Sequence, residues 1–98
     1  DTWTLVTADY QAAPNQKIYA DTTDSSFTVT LPNTAVKYDT VMLADPIKSW
    51  NINNVNVATD STIDGNSGLE IDQPAVAVYV YDGSAWSTRQ YNTLFPFS

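Results

Sequence analysis

Chemistry in a protein usually needs a base, a nucleophile or a metal ligand poised near neutral pH, and this sequence withholds most of them. It has no histidine and no cysteine. That removes the commonest general base, the usual zinc and copper ligands, the thiol nucleophile and the disulfide. What remains is carboxylate: eleven acids, ten of them aspartate, with Glu70 the single glutamate. Two carboxylates facing each other across a groove at about 5–10 Å can hydrolyse a glycoside. Ten aspartates spread over turn-like stretches will meet such a spacing by chance, and no pair stands out. The stretch Asp60-Ser61-Thr62-Ile63-Asp64-Gly65-Asn66 has the oxygen ligands and the glycine of the first half of a calcium loop. The twelfth position of such a loop needs a bidentate carboxylate, and here it is Ile71. A hairpin turn rich in Asp and Asn explains the same letters. Serine hydrolysis lacks a histidine and a nucleophile elbow, and no glycine loop could cradle phosphate. We therefore expect a chain that is not an enzyme and that holds no cofactor or metal.

Aromatic side chains give the sharper signal, and it is for binding. Trp3, Trp50 and Trp86 accompany six tyrosines in 98 residues, and exposed aromatic faces stack on sugars and anchor protein interfaces. In a domain this small a tryptophan more often packs into the core. In Ala75–Tyr81, Tyr79 and Tyr81 alternate with Val76, Val78 and Val80, so one set faces solvent or a partner. We take the Tyr79–Tyr81 side as the contact surface, with Trp50 as a further candidate. The apolar tail Leu94-Phe95-Pro96-Phe97-Ser98 adds Leu94, Phe95 and Phe97, which can pack on their own domain or dock on a neighbouring subunit.

The elements that must position these residues are strands. Thr, Asn and Ser together exceed a quarter of the chain, and these with Tyr, Val and Asp favour strands and tight turns over helix surfaces. No useful window places apolar residues at helical spacing. Trp3–Val6, Ile18–Ala20, Phe27–Leu31, Thr40–Ala44, Ile52–Val57, Thr62–Ile63, Leu69–Ile71, Ala75–Tyr81 and Trp86–Tyr91 read as strands. Thr40–Ala44 is apolar nearly throughout, as in a strand covered on both faces. Asp64-Gly65-Asn66-Ser67-Gly68 reads as a hairpin turn, and Asp82-Gly83-Ser84-Ala85 as another. The expectation is an all-β fold, a small antiparallel sandwich or barrel of seven to nine short strands forming one domain over 1–98. The chain opens on Asp1 without methionine, so it is expected to be one module of a longer polypeptide or of a multi-subunit assembly.

Charge narrows the partners. The net charge is −7, and the four bases, Lys17, Lys37, Lys48 and Arg89, are scattered. Direct nucleic-acid binding needs a basic stripe, and anionic membranes need a basic patch, so neither is expected. No apolar run reaches the ~18 residues of a membrane span, so membrane insertion is not expected either.

The order of short motifs resembles a known module. Trp3 with Val6-Thr7-Ala8-Asp9-Tyr10 is followed by Tyr19-Ala20-Asp21-Thr22, Phe27-Thr28-Val29-Thr30-Leu31-Pro32, Asp39-Thr40-Val41, Asp45 and Trp50-Asn51. Then come Asn54-Val55-Asn56-Val57, Thr62-Ile63-Asp64-Gly65, Leu69-Glu70-Ile71-Asp72 and Tyr81-Asp82-Gly83-Ser84-Ala85-Trp86. From residue 3 to residue 88 this succession resembles a small β-module that recurs in virion structural proteins of tailed bacteriophages, in tail-fibre, baseplate-associated and capsid-fibre or decoration proteins. Two positions depart from it. Tyr38-Asp39 stands where the module usually carries Gly-Asp, and Gln73-Pro74 where asparagine or aspartate with glycine is common. The resemblance implies a non-catalytic component of the virion surface, commonly a homotrimer, that joins copies of itself and other virion proteins through β-rich interfaces. The alternative is a carbohydrate- or receptor-binding module of a phage fibre or bacterial surface protein, acting in host attachment and resting on the aromatic residues.

Overall fold

The computed structural model describes residues 2–94 and is all-β. Its nine strands are β1 (Trp3–Val6), β2 (Tyr10–Gln11), β3 (Lys17–Ala20), β4 (Phe27–Thr30), β5 (Thr40–Ala44), β6 (Val55–Ile63), β7 (Asn66–Ile71), β8 (Ala75–Tyr81) and β9 (Trp86–Thr93). They join in one nearly closed, barrel-like sheet in the order β1-β3-β5-β8-β9-β6-β4-β2, with β7 paired to β6.

Strand class and number agree with the sequence, but the pairing does not. An antiparallel arrangement was expected, whereas the sheet is mixed. β1–β3, β3–β5, β2–β4, β4–β6 and β6–β9 are parallel, and only β5–β8, β6–β7 and β8–β9 are antiparallel. From β1 to β6 each connection carries the chain from one half of the barrel to the other. Successive strands of one half therefore run the same way, each crossover being a strand of the opposite half. β6–β7 and β8–β9 are hairpins, turning at Asp64-Gly65 and at residues 82–85, whereas the crossovers include the short 7–9 and 72–74 connections as well as the long 45–54, so length alone does not separate the two. Asp64 and Gly65 have φ of 53° and 84°, the left-handed pair of a two-residue hairpin turn.

Two further devices close the barrel. β6 pairs with β4 and β7 through Val55–Ala58, shifts register, and then pairs Ile63 with Trp86 of β9. Between the free edges β1 and β2, the Gln16 amide donates to Thr4 Oγ1 at 3.2 Å and to the Tyr10 hydroxyl at 2.6 Å.

Both halves turn alternate residues into one core. Ile18, Val41, Leu43, Ala77 and Tyr79 come from one half, and Phe27, Val29, Val55, Val57 and Ile63 from the other. Trp50 and Trp86 are its largest members. Trp50 lies in the 45–54 loop, where its indole N–H donates to the Ala20 carbonyl at 2.8 Å. The Asp45 carboxylate organises that loop by accepting from the backbone N–H of Ser49 and of Trp50, each at 2.9 Å. Ile52, expected in a strand, is instead an exposed loop residue.

Candidate functional site

Strand directions sort the connections into two ends. Loops 12–16, 31–39, 64–65 and 82–85 share one end, and loops 7–9, 21–26, 45–54 and 72–74 share the other. Between them lies the solvent side of the β1-β3-β5-β8 half. Register brings Leu5, Tyr19, Ala44 and Val76 into one row across these strands, Lys17, Met42 and Val78 with Trp3 into a second, and Thr40 and Val80 into a third. A solvent-facing sheet side is normally polar, yet here Lys17 and Thr40 are the only members that are not apolar. Leu5 is 62% exposed. Trp3 and Tyr19 stack with ring centroids 4.3 Å apart and planes 11° apart. With Ala44, Asp45, Pro46 and Val76 they line an open hollow of about 400 Å³.

The residues singled out from sequence divide differently from expectation. Trp50 is fully buried and Tyr79 is 1% exposed, so neither presents a contact surface. The odd-numbered side of β8, with Ala75, Ala77 and Tyr79, faces the core, and Val76, Val78 and Val80 face outward. Burial pushes the Tyr79 phenol far above its ordinary value of 10.0. Tyr81 is half-buried against Trp86, with ring centroids 5.2 Å apart. Leu94 is half-buried, its N–H donating to the Pro74 carbonyl at 2.7 Å. Phe95 and Phe97 lie outside the described residues.

Three carboxylates are committed to holding loops. Asp64 lies in the β6–β7 hairpin, and its carboxylate accepts from the Thr88 N–H at 2.9 Å and the Thr88 hydroxyl at 2.6 Å. The Thr23 hydroxyl and N–H hold Asp21 below its ordinary value of 3.8, and the Ala85 and Ser84 N–H groups do the same for Asp82. Among the described residues no group of three or more acids is arranged to hold a metal ion.

Two loops hold a side chain ill suited to positive φ, Lys48 at 57° in 45–54 and Tyr38 at 79° in 31–39. Tyr38 has φ of 79°, a left-handed conformation that suits glycine and that costs about 1–2 kcal/mol for a side chain with a Cβ. The tyrosine ring is 73% exposed.

No protein-family model matches the chain, and no curated protein matches it.

Proposed function

We propose that this chain is a non-catalytic structural module of a tailed-bacteriophage particle. It would be carried on a fibre, the tail or the capsid surface, and would assemble as a homotrimer and with other virion proteins through its sheet. The virion half of this reading rests on the order of motifs along the sequence. The assembly half rests on one observation, the apolar solvent side of β1-β3-β5-β8. Four strands ~4.8 Å apart and three rows of alternate residues make a patch on the order of 300–400 Å². Patches of this size on soluble proteins often mark contact sites. It is smaller than the ~800 Å² per partner of a standard two-body interface, so neighbouring surfaces would have to share the contact. Light scattering at micromolar concentration tests the reading. A closed oligomer of fixed size is expected, and a strict monomer that also fails to bind phage particles overturns it.

A second reading has its own observation. The stacked Trp3 and Tyr19 beside an open hollow could take the C–H face of a neutral sugar. In that case a glycan array gives saturable binding that Trp3→Ala abolishes, and binding that survives Trp3→Ala rules the hollow out.

A further inference from the structure

The hollow on the outer side of the sheet opens beside the place where the chain leaves it. Val76 pairs with Ala44 of β5 on one side and with Asn92 of β9 on the other. One step further along, Asp45 N–H donates to the Ala75 carbonyl at 3.0 Å, and Ala75 pairs with Thr93. Leu94 N–H then donates to the Pro74 carbonyl, which puts two strand spacings, about 10 Å, between Leu94 and Pro46. Pro46, Ala44 and Val76 all line the hollow. Asn92 shares the solvent side with Val76, and Leu94, two residues later, returns to that side.

The residues that follow, Phe95-Pro96-Phe97-Ser98, carry two phenyl rings and no charged side chain. Phe97 stands three residues beyond Leu94, and an extended chain covers ~3.3–3.6 Å per residue, so its full reach is about 10 Å. That equals the distance to Pro46, and the length of the side chain adds to it. The hollow suits a phenyl ring in character. Trp3 and Tyr19 stack in it, and Ala44, Pro46 and Val76 supply aliphatic walls. Asp45 is the one acid among the lining residues, and its carboxylate accepts from the N–H groups of Ile47, Ser49 and Trp50, so no unpaired charge opposes an apolar occupant. A segment tethered this closely meets the hollow at an effective concentration on the order of mM, and so outcompetes the same segment of a second copy at micromolar concentration.

We propose that residues 95–98 turn back beside loop 45–54 of their own chain and seat the Phe97 ring in the hollow, against Pro46, Val76 and the Trp3–Tyr19 stack. The tail then caps one corner of the apolar outer side. A regulatory consequence rests on the assembly reading: a neighbouring copy gains that corner only when the tail leaves it, so the tail raises the concentration at which copies associate.

Acrylamide quenching of tryptophan fluorescence reads the contact, since Trp50 and Trp86 are 0% and 2% exposed and only Trp3 is open to the quencher. At a dilution where the full chain is monomeric, Phe97→Ser is expected to raise quenching about twofold or more, because the open hollow becomes the only state. Val76→Asp, at the rim of the hollow, should raise it too, and the two substitutions together should add nothing beyond the larger single effect. A melting curve for each variant shows that the fold is kept. Quenching unchanged by Phe97→Ser in a folded chain overturns the contact, and shielding of Trp3 that appears only at concentrations where copies associate overturns its being intramolecular. Light scattering of the same samples tells this failure from that of the assembly reading. Association of Phe97→Ser at lower concentration than the wild type supports both, whereas chains that stay monomeric while quenching still responds to Phe97→Ser remove the assembly reading and leave the tail contact standing.

Discussion

The two sides of β8 make the same kind of pattern and have different fates. Ala75, Ala77 and Tyr79 are at most 1% exposed, while Val76, Val78 and Val80, just as apolar, face outward. Folding accounts for only one of these sides. The inner side shares a core with Trp50 and Trp86, and a core that must hold two indoles has room for alanines on a neighbouring strand. The outer side has no such packing to explain it, and Leu5, Met42, Tyr19 and Trp3 extend the same apolar character across three more strands. The contrast teaches that alternation in a strand marks two faces without saying which is the core. When both faces are apolar, the second is the one to explain by function.

The contrast breaks first where the inner side is cut. Tyr79→Ala is expected to cost about 3–5 kcal/mol of stability, read by chemical denaturation, whereas Val78→Thr on the outer side should cost less than about 1 kcal/mol. A similar cost for both would mean that the two sides do the same work. Asp45→Ala comes next. It leaves the buried N–H groups of Ser49 and Trp50 without their acceptor, so a loss of about 2–4 kcal/mol is expected. Asp45→Asn should recover part of it, because the amide oxygen can still accept from one of them.

The pH dependence sharpens the picture at smaller scale. Tyr79 has a raised folded value, so the stability it contributes is complete below about pH 10 and is lost as pH rises beyond that. Its absorbance change at high pH should coincide with unfolding. Asp21 and Asp82 have lowered folded values, so their contribution is present above their ordinary 3.8 and is lost as pH falls below it. Because both are largely exposed, a shallow decline in melting temperature below pH 4 is expected and no sharp acid transition.

Much of the architecture was legible in the sequence. The bounds of β1, β5 and β8 follow from period-2 patterning, and the β6–β7 hairpin was read in place, although its turn is only Asp64-Gly65, with Asn66–Gly68, expected in the turn, belonging to β7. The parallel pairings were not read, because strand patterning is the same in either direction. Connection length was no guide either, since crossovers at 7–9 and 72–74 are as short as hairpin turns. β2 was missed since Tyr10-Gln11 is too short to show a period. The fate of Trp50 was also hidden, because a tryptophan in an Asn-rich loop looks exposed until the Asp45 carboxylate and the Ala20 carbonyl that draw it inward are known. The site was the least legible part. Trp3, Tyr19, Met42 and Val78 come from four strands, and only the register of the sheet shows that they form one surface. Tyr38 is a strained, exposed ring that only the backbone φ of the structure reveals.

The most direct test of the outer side as an assembly surface is light scattering of Val78→Asp beside the wild type, with a melting curve for each. The account predicts a closed oligomer for the wild type. It predicts a folded monomer for Val78→Asp, melting within a few degrees of the wild-type chain measured at a concentration where that is also monomeric. An oligomer of unchanged size in Val78→Asp, with the fold intact, would contradict it.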